Sequence, residues 1–345
     1  MHFLITGHTG FKGAWLALML VQRGHSVSGL ALEPSPDSLY ERVRLAELLR
    51  DDLRVDVRDA AATSHAIAAV KPDVVMHLAA QALVRQSYRD PRYTYETNAL
   101  GTLSVLQGVE RTPSVRAQVI VTTDKVYRNV NQIWGYRESD PLGGVDPYSA
   151  SKAAADLITQ SWMASSGSEV PTAIARAGNV IGGGDVCAER LLVDLVAAFS
   201  TGQAVRLRYP EAVRPWQHVL DCLNGYLGLV DALLRGEASG EAFNFGPDTR
   251  SFVSVGAVAA AVASLWGNGS VVEVDGGSHV HEANLLALDS RKVELALGWR
   301  NRVPFHDALG WTVAWEKRVR GGEDPRAVTM AQIGEFHSLP SGRQP

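Results

Sequence analysis

The sequence is poor in cysteine, in long apolar runs and in any excess of one charge, and each shortage removes a class of protein. Only two of its 345 residues are cysteine, Cys187 and Cys222, without the paired spacing of a zinc site. No metal site and no disulfide framework is therefore expected, and the chain reads as one from a reducing, cytoplasmic compartment. Lys and Arg number 33 against 37 Asp and Glu, a formal net charge of -4. That balance gives no general attraction for nucleic acid or an anionic membrane, so the expected partner is a small molecule. The longest apolar helical run, Val255 to Trp266, is too short and too Ala-rich to span a bilayer. Met1 to Thr6 reads straight into a strand, with no basic segment and cleavage site before it. No internal repeat or low-complexity linker stands out, and Leu339 to Pro345 reads as a frayed polar tail.

What is present is an alternation of short apolar strands and helices. His2 to Thr6 runs into Gly7-His8-Thr9-Gly10-Phe11-Lys12-Gly13 and then an apolar helix from Ala14 to Arg23, ended by Gly24 and followed by a strand from Ser26 to Leu32. Strand, glycine turn, helix and strand make a βαβ unit whose turn lets a pyrophosphate approach the backbone at a helix N-terminus. Dinucleotide binding is expected there; the alternative is a tight turn without a ligand. The acid that would hold the adenosine ribose arrives late, as Glu33, which is also readable as a solvated loop residue. No Arg or Lys follows Val27 closely enough in sequence to take a 2'-phosphate, which favours NAD over NADP.

Further parallel-type strands are expected at Leu53 to Val57, Asp73 to Leu78, Ala117 to Thr122 and Thr172 to Arg176, with helices at Ala60 to Val70 and, as one long element carrying Asn98, Pro91 to Arg111. Asp56 could meet an adenine amine or pair with Arg58. Small residues at Ala79 and Ala80 would let a nucleotide lie over a strand end. The strand ending at Thr122 delivers Thr123-Asp124-Lys125, a polar cluster where an open α/β sheet binds its ligands. Beyond the glycine-rich stretch from Gly182 to Gly184, helices are expected near Leu191 to Ser200, Cys222 to Leu234 and Val255 to Leu265. Short strands are expected at Val205 to Leu207, Ala242 to Phe245, Val271 to Val274 and Leu285 to Ala287. The fold class is α/β, a Rossmann-type doubly wound parallel sheet with a smaller mixed α/β C-terminal substrate domain. The expected division is a nucleotide-binding domain over 1–178, joined again by about 217–246, and a substrate domain over 179–345.

The chain is organised around Asp146-Pro147-Tyr148-Ser149-Ala150-Ser151-Lys152 and the Ala-rich run after it. Asp146 suits an N-cap and Pro147 the first helical position, so Tyr148 and Lys152 share one helix face. A phenol titrates near ~10, and an ammonium beside it favours the phenolate, which makes Tyr148 a usable general base.

The glycine turn, the Thr-Asp-Lys strand end and the Tyr-x-x-x-Lys helix together resemble the extended short-chain dehydrogenase/reductases. Within them the chain is most similar to the CDP-glucose 4,6-dehydratases, through His77-Leu78-Ala79-Ala80-Gln81, Trp134-Gly135-Tyr136-Arg137-Glu138, Arg176-Ala177-Gly178-Asn179 and Arg214-Pro215-Trp216-Gln217-His218. It departs from them at Ala82, Val126, Val186 and Val193. The resemblance implies NAD as cofactor, held by Gly7, Thr9, Gly10, Phe11, Lys12, Gly13, Asp56, Val57, Leu78, Ala79, Ala80, Asn98, Tyr148 and Lys152. It implies a nucleotide sugar as substrate, held by Asn179, Arg190, Arg214 and His218, with His281 and Glu282 at the rim or in a loop salt bridge. It also implies oxidation at C4 of the hexose, loss of water across C5 and C6, and return of the hydride to C6. In that scheme Tyr148 takes the O4 proton, Lys152 lowers the phenol's pKa and binds the nicotinamide ribose, Thr123 hydrogen-bonds O4, and Asp124 protonates the departing hydroxyl. Lys125 has two readings: a neutral amine that removes the C5 proton, which needs its pKa brought from ~10.4 to about 7 to 8, or a cation that stabilises the enolate. A 4-epimerase would need Tyr148 and Lys152 without Asp124 or Lys125, and a non-catalytic dinucleotide sensor would need none of them. Helices near Pro91 to Arg111 and Tyr148 to Ser166 suit a homodimer or higher homo-oligomer.

Overall fold

The computed structural model describes residues 1–188, 190–247, 252–267, 272–274 and 286–340. His281, Glu282, Val271 and Leu285 lie outside the described residues. The strands are β1 (His2–Thr6), β2 (Ser26–Ala31), β3 (Asp51–Arg54), β4 (Val74–His77), β5 (Ala117–Val121), β6 (Thr172–Ala177), β7 (Asn179–Ile181), β8 (Val205–Leu207), β9 (Val213–His218), β10 (Ala242–Phe245), β11 (Phe252–Ser254) and β12 (Val272–Val274). Seven of them form one sheet in the order β10-β6-β5-β4-β1-β2-β3, parallel throughout. β1, β4, β5 and β6 are buried along their whole length, as expected of strands covered by helices on both faces. Strand order reverses between β1 and β4, and ligands of such sheets bind at the carboxyl ends beside that reversal.

Helices α1 (Phe11–Gln22), α2 (Leu39–Arg42), α3 (Ala60–Val70), α4 (Val84–Arg89), α5 (Pro91–Tyr95), α6 (Gly101–Glu110) and α7 (Pro147–Ser165) belong to the first half. In the second half come α8 (Leu191–Ser200), α9 (Val219–Leu234), α10 (Val255–Trp266), α11 (Arg291–Leu297), α12 (Phe305–Arg320) and α13 (Pro325–Ser338). The helix expected to run unbroken from Pro91 to Arg111 is interrupted by a π-helical turn, Glu96–Leu100, centred on Asn98. β3 begins two residues earlier than expected because β2 pairs with Asp51 to Arg54. Two carboxylates that precede the expected strand are held in it by buried partners, Ser28 for Asp51 at 2.7 Å and His8 for Asp52 at 2.7 Å.

Asn179–Ile181 and Val213–His218, neither expected as strands, pair in parallel with Asn179 opposite Trp216. Of the strand expected at Leu285 to Ala287, the described Leu286 and Ala287 are not strand, and the next residue, Leu288, forms an isolated bridge to Tyr136. One hydrophobic core joins Trp15 and Leu16 of α1 to Trp315 of α12 and Ile333 and Phe336 of α13. The glycine stretch is a packing device within that core. A Cβ on Gly183 would lie 2.1 Å from the Trp315 ring, while the Gly183 carbonyl accepts from Trp15 Nε1 at 3.1 Å.

Candidate active site

A cleft of about 1760 Å³ runs along the carboxyl ends of β1, β4, β5 and β6 and under β8 and β9. That volume exceeds the ~300 to 1,000 Å³ of a site for one small ligand and is large enough for two. At one end, α1 begins at Gly10 with no side-chain cap and no acid in its first turn. The turn before it is tightly packed: a Cβ on Gly13 would lie 2.2 Å from Gly7 O, and Gly7 adopts a φ of +78°, where a Cβ would lie 2.7 Å from Ala79 N. An uncapped helix start with Lys12 beside it suits a pyrophosphate. These residues therefore fit a dinucleotide.

At the ribose end the sequence reading needs an addition. Arg54 of β3, distant in sequence, reaches Glu33 at 3.1 Å and Asp52 at 2.6 Å, and it also donates to Tyr40 at 2.8 Å. A cation is thus present near the turn, but two carboxylates already surround it, which disfavours a 2'-phosphate. Asp56 takes the second of its expected roles: its carboxylate is bonded to Arg58 at 2.6 Å and accepts from the Arg58 backbone N–H at 2.9 Å.

At the other end, α7 starts as the sequence indicates. Asp146 Oδ1 accepts from Ser149 N at 2.9 Å and Pro147 occupies the first turn. Tyr148 and Lys152 are buried and both line the cleft. Burial pushes the Tyr148 phenol above its usual value; Lys125 is the foremost influence pulling it down, followed by a hydrogen bond with Thr123. The Lys152 Nζ donates to Val121 O at 2.9 Å. Burial, helped by the Lys12 ammonium, lowers Lys152 from 10.5 to about 8. Thr123 donates to Asp124 Oδ1 at 2.9 Å, and a Cβ on Gly178 would sit 3.0 Å from the other Asp124 oxygen. Glycine at 178 leaves that carboxyl its place.

Of the residues singled out from sequence, Gly7, Thr9, Gly10, Phe11, Lys12, Gly13, Asp56, Val57, Leu78, Ala79, Ala80, Thr123, Asp124, Lys125, Tyr148, Lys152, Asn179, Arg190 and Arg214 all line this cleft. Arg190 pairs with Asp185 at 2.7 Å and is among the charges acting on Tyr148. Two expectations are corrected. His218 is fully buried, caps α9 by accepting from Leu220 N at 3.3 Å, and packs edge-on to Trp15 and Trp311. It is not among the cleft-lining residues, and burial lowers its pKa to about 3, so it is a neutral structural group. Asn98 likewise does not line the cleft. Its Oδ1 accepts from Gln81 N at 2.8 Å, and its Nδ2 donates to Gln81 O at 3.0 Å and to Ser151 Oγ at 2.9 Å. It fastens the strand-end loop to the turn that carries Tyr148. The cleft also contains Arg85, Asn129, Asp194, Arg206 and Tyr209, which sequence reading passed over. Only position in the folded chain marks them, since none belongs to a motif.

A glycine cradle at the end of β1 and a Tyr-x-x-x-Lys helix over the end of β5 define the class, an extended short-chain dehydrogenase/reductase. The family described as GDP-mannose 4,6 dehydratase matches residues 4–310, and the chain belongs to it. A CDP-glucose 4,6-dehydratase of Salmonella typhimurium is 41% identical over 343 residues, covering 97% of this chain and 95% of that one. A dTDP-glucose 4,6-dehydratase of Streptomyces griseus is 30% identical, covering 94% and 96%. Among solved structures, the dTDP-glucose 4,6-dehydratase of Streptomyces venezuelae with NAD bound superposes with a TM-score of 0.75 at 26% identity, covering 94% of this chain and 100% of that one. A UDP-glucose 4-epimerase of Thermotoga maritima reaches a TM-score of 0.80 at 20% identity and shares the fold.

Proposed function

We propose that this enzyme is an NAD-dependent 4,6-dehydratase that converts CDP-D-glucose to CDP-4-keto-6-deoxy-D-glucose. The observation that carries the reading is the meeting of Thr123, Asp124 and Lys125 with Tyr148 in one cleft. NAD, when bound, supplies the hydride acceptor and donor at the sugar. Tyr148 takes the proton from the C4 hydroxyl, and Thr123 holds that oxygen in place. Once C4 is a carbonyl, the C5 proton is acidic and the C6 hydroxyl needs a proton to leave; Asp124, buried beside Thr123, supplies it. Lys125 acts either on the C5 proton or on the charge at the C4 oxygen. Arg190, Arg214 and Asn179, which line the same cleft, take the diphosphate and sugar.

The relative 41% identical along 97% of the chain supports the cytidine nucleotide. We divide the chain into a nucleotide-binding unit over 1–178, completed by β10, and a substrate unit over the remainder. We place the enzyme in the cytoplasm and assign it a homo-oligomer through α5, α6 and α7, a surface that exposes Tyr95, Leu100 and Leu157. Among the described residues no helix is long and apolar enough to cross a membrane.

The test uses CDP-glucose deuterated at C4, in heavy water. Product with the label at C6 and one solvent deuterium at C5 is expected. Recovery of hexose inverted only at C4 would establish a 4-epimerase, and activity confined to dTDP or GDP sugars would refute the assignment of the base.

A further inference from the structure

Beneath the cleft lies a buried polar array that none of the steps above employs. Arg176 of β6 is 1% exposed, and its guanidinium forms a fork with Asp156 of α7, Nε to Oδ2 at 2.8 Å and Nη2 to Oδ1 at 2.7 Å. Asp156 is fully buried and each of its oxygens has a second donor, Thr122 Oγ1 at 3.0 Å and Gln160 Nε2 at 2.7 Å. The third guanidinium nitrogen, Nη1, donates to the Tyr127 hydroxyl at 2.8 Å and to Glu138 O at 3.1 Å. Tyr127 in turn donates to Asn244 Oδ1 at 2.7 Å and stacks on Tyr136 with centroids 5.2 Å apart.

The placement of the two arms is what matters. Asp156 lies one helical turn after Lys152 on the same face and is one of the charges acting on it. Tyr127 lies two residues beyond Lys125, and its backbone N–H closes the turn onto Asp124 O at 3.4 Å. One guanidinium therefore holds both halves of the constellation: the helix with Tyr148 and Lys152, and the strand end with Thr123, Asp124 and Lys125. A buried ion pair is often no more stabilising than an apolar pair of the same volume, so stability alone does not account for it. A fork with fixed geometry sets distance and angle in a way that packing does not.

We infer that Arg176 is a positioning residue that sets the oxidation half of the site against the elimination half, acting through Asp156 on one side and Tyr127 on the other. The inference rests on the dehydratase reading. Tyr127→Phe retains the ring stack and removes only the hydroxyl that the guanidinium reaches. It should lower kcat by about 10- to 100-fold, the scale of a misplacement near 1 Å, with KM within about twofold of wild type. Because Asp124 and Lys125, nearest to Tyr127 on that strand end, serve elimination, that step should slow more than oxidation, and enzyme-bound NADH should accumulate in that variant, visible in its near-ultraviolet absorbance. Asp156→Asn loosens the other arm and should slow NADH formation itself. Arg176→Lys, which retains the charge without the fork, should slow both steps and fail to rescue either.

Thermal unfolding of each variant supplies the control. If rates fall only in proportion to lost stability, with the same steady-state NADH in Tyr127→Phe and Asp156→Asn, the role of Arg176 is overturned. Dehydration by wild type together with that outcome leaves the reaction assignment standing, whereas no 4-keto product from wild type with any nucleoside-diphosphate hexose overturns both.

Discussion

Replacing Asn98 by alanine separates two roles for this residue, direct contact with the cofactor and support of the loops that surround it. The side chain is 1% exposed and makes three hydrogen bonds, two to the Gln81 backbone and one to Ser151 Oγ. In Asn98→Ala the Gln81 N–H and C=O lose their partners in a buried setting, at about 1 to 3 kcal/mol each. Water entering the vacated space recovers part of that, so the net loss should be about 3 kcal/mol. At ~2.1 cal/mol/K per residue, an unfolding entropy for 345 residues of about 0.7 kcal/mol/K turns this into a fall in Tm of about 4 °C. Thermal unfolding and a fluorescence titration with NAD would be run on the same preparation. Affinity for NAD should fall by only a few fold, since Asn98 reaches the cleft through Gln81 and Ser151. A loss of affinity above about 30-fold, some 2 kcal/mol, with an unchanged Tm would refute the supporting role and restore direct contact.

Further outcomes follow from the same geometry. Tyr148→Phe should abolish NADH formation while leaving Tm and nucleotide affinity near wild type, measured by single-turnover absorbance; more than a tenth of the wild-type rate would remove the proton-abstraction role. Asp124→Asn should oxidise substrate and then stall, with bound NADH building up to the concentration of sites. Gly13→Ala places a Cβ 2.2 Å from Gly7 O, so the cradle must open and NAD affinity should drop by about tenfold or more, read by calorimetry. Burial holds Lys152 near 8 in the folded protein against 10.5. Between those values the unfolded chain binds the additional proton, so this group makes stability rise with pH from about 8 to 10.5, and urea unfolding of Lys152→Met at pH 7.5 and 10 should lack that increment.

The sequence by itself determined the elements whose signals are local. The strand, glycine turn and helix from His2 onward, the Asp146 cap and Pro147 before Tyr148, and the Thr123-Asp124-Lys125 strand end each depend on neighbours in the chain, and each stands where the motif puts it. Tertiary structure decided what depends on partners far away. Asp51 and Asp52 enter β3 because Ser28 and His8 meet them there. Asn98 turns from the cleft into a buried joint because Gln81 and Ser151 present their polar groups to it. His218, in a motif that promised substrate contact, is enclosed by Trp15 and Trp311 from two different helices. Arg54 reaches Glu33 only because β3 lies beside β2. Lys152 shares a helix face with Tyr148, yet its ammonium is turned to a backbone acceptor at the end of β5. A helix repeat fixes which face a side chain shares, but the direction in which a long flexible ammonium points is set by the acceptor it finds, here the Val121 carbonyl.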